Sequence, residues 1–317
     1  MKIRLGYVAI PKTLNITTSH TITYTNYEKL LETEKIEKLE KIINENLDNL
    51  EQIILYNIRN NIQFYRLSSS IFPLATHPKV EYDVLGIFKK RLEKIGKIIN
   101  KNNMRVDIHL DQFCVLNSTN KEVVKSTINI IKFYKNMLDT MKLKTYMILH
   151  IGSSAFGKQK SITRFINNFK LIDQETRKMI IIENDDKIYN IKDTLYLAKK
   201  LNIPMVLDYH HYKCNNEGEK IEDYITEIFN TWKKDTPKVH LSSPKSKKEY
   251  RSHNDYINID DFIEFHNKIR SINIDFDIMI EAKEKDFALF KLIRELKYKG
   301  YKIIDDTIVN IEIWQTT

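Results

Sequence analysis

The sequence predicts an α/β protein, a (β/α)8 TIM barrel, and three observations carry that expectation. Eight short runs rich in Ile, Val, Leu and Met alternate with longer segments of helical period. Six of the runs end directly in an imidazole or a carboxylate: RVDIHLDQ, TYMILHIG, MIIIENDD, IPMVLDYHH, PKVHLSS and DFDIMIEAK. No Pro/Gly-rich linker interrupts the alternation, so residues 1–317 are expected to form a single domain, long enough for one barrel with insertions and a sizeable core.

One polar strand end is ordinary, because strand ends are half solvated. Six in succession project into one place only if the strands are parallel and closed into a ring, with their C-terminal ends on one face. The expected strands span residues 4–10, 63–67, 105–109, 145–150, 179–184, 204–208, 238–241 and 277–281. Their apolar runs are continuous, as suits strands covered on both faces. Helical period marks residues 83–101, 123–142, 161–178, 191–202, 222–234 and 286–299. The Glu- and Lys-rich stretch before Leu47 is expected to be helical decoration leading into the first barrel helix, its charges solvated. A short terminal element is expected after Tyr301.

Composition narrows the class. No apolar run approaches a membrane span, and the N-terminal apolar stretch is short and interrupted by charge, unlike a secretory signal. Cys114 and Cys214 lack metal or redox spacing, which fits a cytoplasmic protein without disulfides. Lys and Arg number 51 against 42 Asp and Glu, a net charge of +9 that favours a polyanionic partner, nucleic acid first.

The strand-end donors are His109, His150, Glu183, Asp208, His240 and Glu281. Taken alone, a histidine there caps or hydrogen-bonds; His109, His150 and His240 together, each after a parallel-type strand, point to a metal. The acidic run at Glu183 could begin a helix, but Glu183 precedes the capping Asn and Asp, and a buried carboxylate needs a cation or a donor. His210 and His211 both follow Asp208, and either can face inward. His253 lies in a loop, RSHNDY, whereas His20, His77 and His266 lack the pattern and are taken as structural or surface residues. Imidazoles and carboxylates without a cysteine set suit a manganese or zinc cluster of two or three divalent ions, with Mg2+ as an alternative. Such clusters polarise phosphoryl oxygens and generate hydroxide near neutral pH. Lys245, Lys247, Lys248 and Arg251 follow the seventh strand, and Lys158, Lys160 and Arg164 the fourth, so both groups belong on the face of the donors. There they would grip a phosphodiester better than a neutral sugar.

Further segments complete a pattern. FYRLSSSIFPLATHP, IHLDQFCVLNS, LHIGSSAFGK, ENDD, DYHH, PKVHLSSP preceded by TW, HNDYI and IMIEAKEKD resemble, in order, the motifs of the UV damage endonuclease family, from about Arg4 to Leu292. The resemblance implies the same barrel and a divalent metal cluster, commonly manganese. It implies cutting of damaged double-stranded DNA immediately 5′ of cyclobutane dimers and 6-4 photoproducts, with some activity at abasic sites, leaving a 3′-hydroxyl. The implied ligands are His109, His150, Glu183, Asp208, His211, His240, His253 and Glu281; simple strand alternation favours His210, and the resemblance selects His211. Glu183, Glu281 and Lys238 are the implied catalytic groups. Lys238 matches a family lysine that is carboxylated beside the metals; unmodified, it would be a cation beside the substrate phosphate. Gln112 and Phe113 match a polar–aromatic pair that probes the duplex, a wedge offsetting part of the unstacking cost. Tyr7 falls where the family has an aromatic near the lesion pocket. VAIPKTL departs from a frequent Asn-containing turn, and Leu110–Asp111 replaces Pro followed by a small or polar residue in many members. No membrane and no obligate protein partner are implied. The rival classes are a general abasic-site endonuclease, a metal-dependent sugar isomerase or epimerase on the same barrel, and a non-catalytic DNA-binding protein.

Overall fold

A computed structural model describes residues 1–310. Eight parallel strands close a ring: β1 (Lys2–Val8), β2 (Phe64–Leu67), β3 (Arg105–His109), β4 (Met147–His150), β5 (Ile180–Glu183), β6 (Met205–Asp208), β7 (Lys238–Leu241) and β8 (Phe276–Ile280). β1 is shifted towards the N-terminus of the expected span because Ala9 takes a positive φ of 57°, which ends the extended run. A hairpin, β9 (Lys302–Ile304) and β10 (Ile308–Asn310), is the element expected after Tyr301; residues 311–317 lie outside the described residues. β10 pairs antiparallel with Lys2–Arg4 of β1, whereas β2 pairs with β1 only at Tyr7 and Val8. The hairpin thus covers a sheet edge that ring closure leaves open.

Period-two alternation divides each strand between two environments. Ile3, Leu5 and Tyr7 of β1 belong to the main core, a continuous apolar layer between the ring and its helices. Inside the ring, Ile148, Ile181 and Val206 pack with Trp232 as a separate cluster, whose indole donates to the Met205 carbonyl at 2.7 Å. The interior on the side of β1–β3, β7 and β8 is charged instead: Arg4 and Arg105 both pair with Asp277, and Lys238 pairs with Asp107. Gly6 permits the closure there, since a Cβ would stand 2.3 Å from the Phe64 carbonyl oxygen.

The polar stretch before Leu47 is helical as expected and leads without a break into the first barrel helix, forming one 28-residue helix, Glu32–Arg59. The helices follow the expected alternation, with three differences. Residues 83–101 are split at Phe88, whose ψ of 10° interrupts the helix, and 161–178 are split before Gln174, where Asp173 caps a new turn by accepting from the Thr176 N–H. Ile259–Ile269 is a helix that the sequence analysis did not assign. Its buried Phe262, Phe265, His266 and Ile269 do follow helical spacing, but a histidine stands in the stripe.

Candidate metal centre and nucleic-acid interface

Strand register gathers the donors. His150 lies opposite Glu183 between β4 and β5, and Asp208 lies opposite His240 between β6 and β7. Three adjoining groups result: His109, His150 and Glu183; Glu183, Asp208 and His211; and Asp208, His240 and Glu281, with the donor atoms of each group within 4.8 Å of one another. Glu183 and Asp208 are each shared by two groups, so all seven residues form one continuous array at the C-terminal mouth of the barrel. These clusters can hold metal ions.

Local hydrogen bonding leaves donor atoms aimed inward. Asp208 caps Tyr209–Cys214 by accepting the His211 N–H on Oδ1 at 2.7 Å; its Oδ2 is buried with no hydrogen-bond partner among the described residues. Asn184 fixes the backbone beside it, accepting from the Asp208 N–H and donating to the Asp208 carbonyl, both at 2.9 Å. His150 Nδ1 is likewise buried and unpartnered. His109 Nδ1 donates to the Leu110 carbonyl at 2.9 Å, which turns Nε2 towards Glu183 Oε2, 3.1 Å away. His211 Nδ1 donates to the Asn184 carbonyl at 3.0 Å, the backbone support typical of a metal-binding imidazole.

The electrostatics have the same character. Burial, with Glu183 and Glu281 adding to it, pushes the Asp208 carboxyl up to about 8. Burial works against a charged His211, but Asp208, Glu183 and Glu281 outweigh it and raise the imidazole to about 11. His150 is pushed down to about 4, chiefly by burial, and is a neutral imidazole. A buried carboxyl held from ionising by its neighbours, as Asp208 is, suits a cation.

Three residues of the expected set stand elsewhere. His253 is at the edge, its Nδ1 3.9 Å from Glu281 Oε2, and belongs to none of the three groups. Lys238 is set below the mouth: it is fully buried, donates to Asp107 at 2.5 Å, and lies one inward position beneath His240. Tyr7 is not at the mouth. Alternation turns it outward, where it is fully buried and donates to Asn57 at 2.8 Å. His210 is also buried apart from the array, with Nε2 3.7 Å from Cys214 Sγ. Among the remaining histidines, His266 contacts the Tyr301 hydroxyl, His77 stacks on Tyr24 and His20 faces Glu45, as structural or surface residues.

Arg66 and Asp107 were missed. Arg66 contacts His240 Nε2 and Glu281 Oε1, each at 2.5 Å, and Asp107 Oδ1 at 3.2 Å. Arg66 offsets the burial of Glu281 and, with His240, holds its carboxyl well below the usual range. The signal was present: Asp107 and Lys238 each precede a strand-end histidine by two, and so share its inward face.

Around the mouth, Gln112 and Phe113 are exposed, Phe113 by 75%. Asp111 shapes their turn, accepting the Phe113 N–H on its side chain and the Cys114 N–H on its carbonyl. Lys247 and Lys248 are exposed and make no ion pair among the described residues, whereas Lys245 pairs with Glu249 and Arg251 lies 3.7 Å from Asp186. Lys158 is tied to Asp193 at 2.7 Å, and Arg164 donates to the Asn117 and Ala155 carbonyls, so both brace the scaffold; Lys160 is exposed.

The chain is 39% identical over 315 residues to the UV DNA damage endonuclease of Bacillus cereus (strain B4264), covering 98% of this chain and 99% of that one. The crystal structure of SacUVDE superposes with a TM-score of 0.85 at 33% identity, over 94% of this chain and 99% of that one. A D-tagatose 3-epimerase-like protein, at 15% identity and TM-score 0.56 over 93% and 96% of the two chains, shares the fold alone. The model of the family described as UV-endonuclease UvdE matches residues 3–312, and the chain belongs to that family.

Proposed function

We propose that this chain is a single-domain, metal-dependent endonuclease that cuts DNA immediately 5′ of cyclobutane dimers and 6-4 photoproducts, and also at abasic sites, leaving a 3′-hydroxyl. The observation that carries the proposal is the array sharing Glu183 and Asp208, with buried acceptor atoms directed into it. His109, His150, Glu183, Asp208, His211, His240 and Glu281 would hold two or three divalent ions, Mn2+ first, with His253 joining from the edge. Such ions, when bound, polarise a phosphoryl oxygen and activate water. The chain itself supplies orientation: Arg66 fixes His240 and Glu281, and the Asp107–Lys238 pair supports Arg66 from below. In this reading Lys247 and Lys248 meet backbone phosphates, and Gln112 and Phe113 enter the duplex where a lesion weakens stacking. No helix among the described residues is long and apolar enough to cross a membrane, and a cytoplasmic enzyme acting without an obligate protein partner is part of the same proposal.

The exposed Gln112–Phe113 turn and the free lysines favour this reading over a sugar epimerase, which needs neither. The test is incubation with UV-irradiated, abasic and intact duplexes, in manganese and in chelator after metal stripping. Incision of the irradiated duplex only with metal is expected. Full activity in chelator overturns the metal-dependent reading, and equal cutting of intact DNA overturns the damage-specific one.

A further inference from the structure

The loop after β4 presents a second aromatic that the proposed function does not use. Phe156 is 77% exposed, as much as Phe113, and its φ of 62° lies in the left-handed region. It is the third residue of a turn closed by the Gly157 N–H donating to the Ser154 carbonyl at 2.9 Å. Glycine or asparagine is usual at a turn position of positive φ. A phenylalanine there is unfavourable in backbone and in solvation at once.

The loop does not need the ring for its own stability. Ser153 is held by Asn117 at both its N–H and its carbonyl, and the carbonyl also accepts from Tyr189. The Ala155 carbonyl accepts from Arg164 and Ser161. Asn117 belongs to the loop after β3, the one that carries Phe113, and the two loops pack so closely that a Cβ on Gly152 would meet Asn117 Oδ1 at 2.6 Å. One rigid rim beside His109 and His150 therefore carries two solvent-facing aromatics.

We propose that Phe156 is a second DNA-reading residue, which stacks on a base near the lesion and thereby raises affinity for damaged over intact duplex. This rests on the DNA endonuclease reading above. Phe156→Gly removes the ring and relieves the backbone, and Phe156→Tyr keeps a stacking face. Single-turnover incision of a duplex with one cyclobutane dimer is measured in manganese against enzyme concentration, beside binding to intact duplex and thermal unfolding. For Phe156→Gly, the half-saturating enzyme concentration should rise about tenfold, in line with loss of one base–aromatic stack, while the saturating rate stays near that of the parent. Its melting temperature should be equal or higher, and Phe156→Tyr should restore affinity. Unchanged half-saturation, or an equal loss on intact duplex, overturns the proposal. A parent protein that leaves the damaged duplex uncut fails the endonuclease reading itself, and this inference with it.

Discussion

Lys238 donates to Asp107 at 2.5 Å across the barrel interior, directly beneath the strand-end histidines His240 and His109. Asp107 also accepts from Arg66 at 3.2 Å, and Arg66 in turn holds His240 and Glu281. The donor array therefore stands on a buried ion network. Removing one partner of such a network leaves an uncompensated charge in a dry interior, which costs about 3–5 kcal/mol. Asp107→Ala is expected to lose that much in urea unfolding, because Lys238 and Arg66 then face each other as like charges. Replacing Asp107 with Leu and Lys238 with Met together should recover part of the loss. A single Asp107→Ala variant as stable as the parent would contradict the network.

The same pair sets an acid limit. Burial opposes the Asp107 charge, but Lys238 and Arg66 overcome it and lower the carboxyl from 3.8 to about 2. The unfolded chain then binds a proton at higher pH than the folded one. The contribution is complete above about 4 and is lost as pH falls from 3.8 towards 2. Subtracting the stability profile of Asp107→Asn from that of the parent should show a slope in that window, apart from the one at higher pH that arises because Asp107 also supports the charge of Lys238. A flat difference would mean that the carboxylate gains nothing from its partners.

Cation binding should release protons. With Asp208 raised to about 8, most folded molecules hold a proton there at pH 7, and a divalent ion entering the array must displace it. Calorimetric titration with Mn2+ in two buffers of different ionisation enthalpy should give different heats at pH 7. Asp208→Asn should reduce the difference, leaving the share released by His211, whose imidazole is raised to about 11. Glu183→Gln, which removes a donor shared by two groups, should lower metal content by more than one ion. Identical heats in both buffers would argue against displacement at Asp208.

The barrel was legible in the sequence because each strand is a continuous apolar run, and the donors because each follows its run at once. Charge inside the ring was harder to see. Arg66, Asp107 and Lys238 lie within strands whose other residues are apolar, and each is satisfied only by residues more than 40 positions away. Tyr7 was expected at the lesion pocket from the resemblance alone; strand alternation, which turns it outward, did not enter that expectation. The choice between His210 and His211 also lay beyond strand alternation, because both sit in the short helix that Asp208 caps.

Salt dependence tests the basic rim. Each phosphate neutralised contributes about 0.9 to the slope of log affinity against log salt on duplex DNA. Lys247 and Lys248 are unpaired among the described residues, while Arg251 lies near Asp186. Neutralising all three should therefore flatten the slope by about 2 rather than about 3. Damaged and intact DNA should weaken alike, because phosphates carry no lesion information. An unchanged slope would make this loop solvated surface.

Recognition should separate from the metal site at the Gln112–Phe113 turn. The turn is held by Asp111 backbone and side-chain acceptors, and neither residue contributes a donor to the array. Extruding poorly stacked lesion bases costs less than extruding a normal pair, and an inserted wedge offsets part of what remains. Replacing both residues with Ala should remove roughly 1–3 kcal/mol of stacking per base, so selectivity for damaged over intact duplex should fall about tenfold or more. Metal content should stay at the parent level, because His109 keeps its hydrogen bond to the Leu110 carbonyl. Both quantities are measured on one preparation, by elemental analysis and competition binding. Unchanged selectivity removes the pair from recognition; loss of metal would show instead that the turn holds β3 in register with the array.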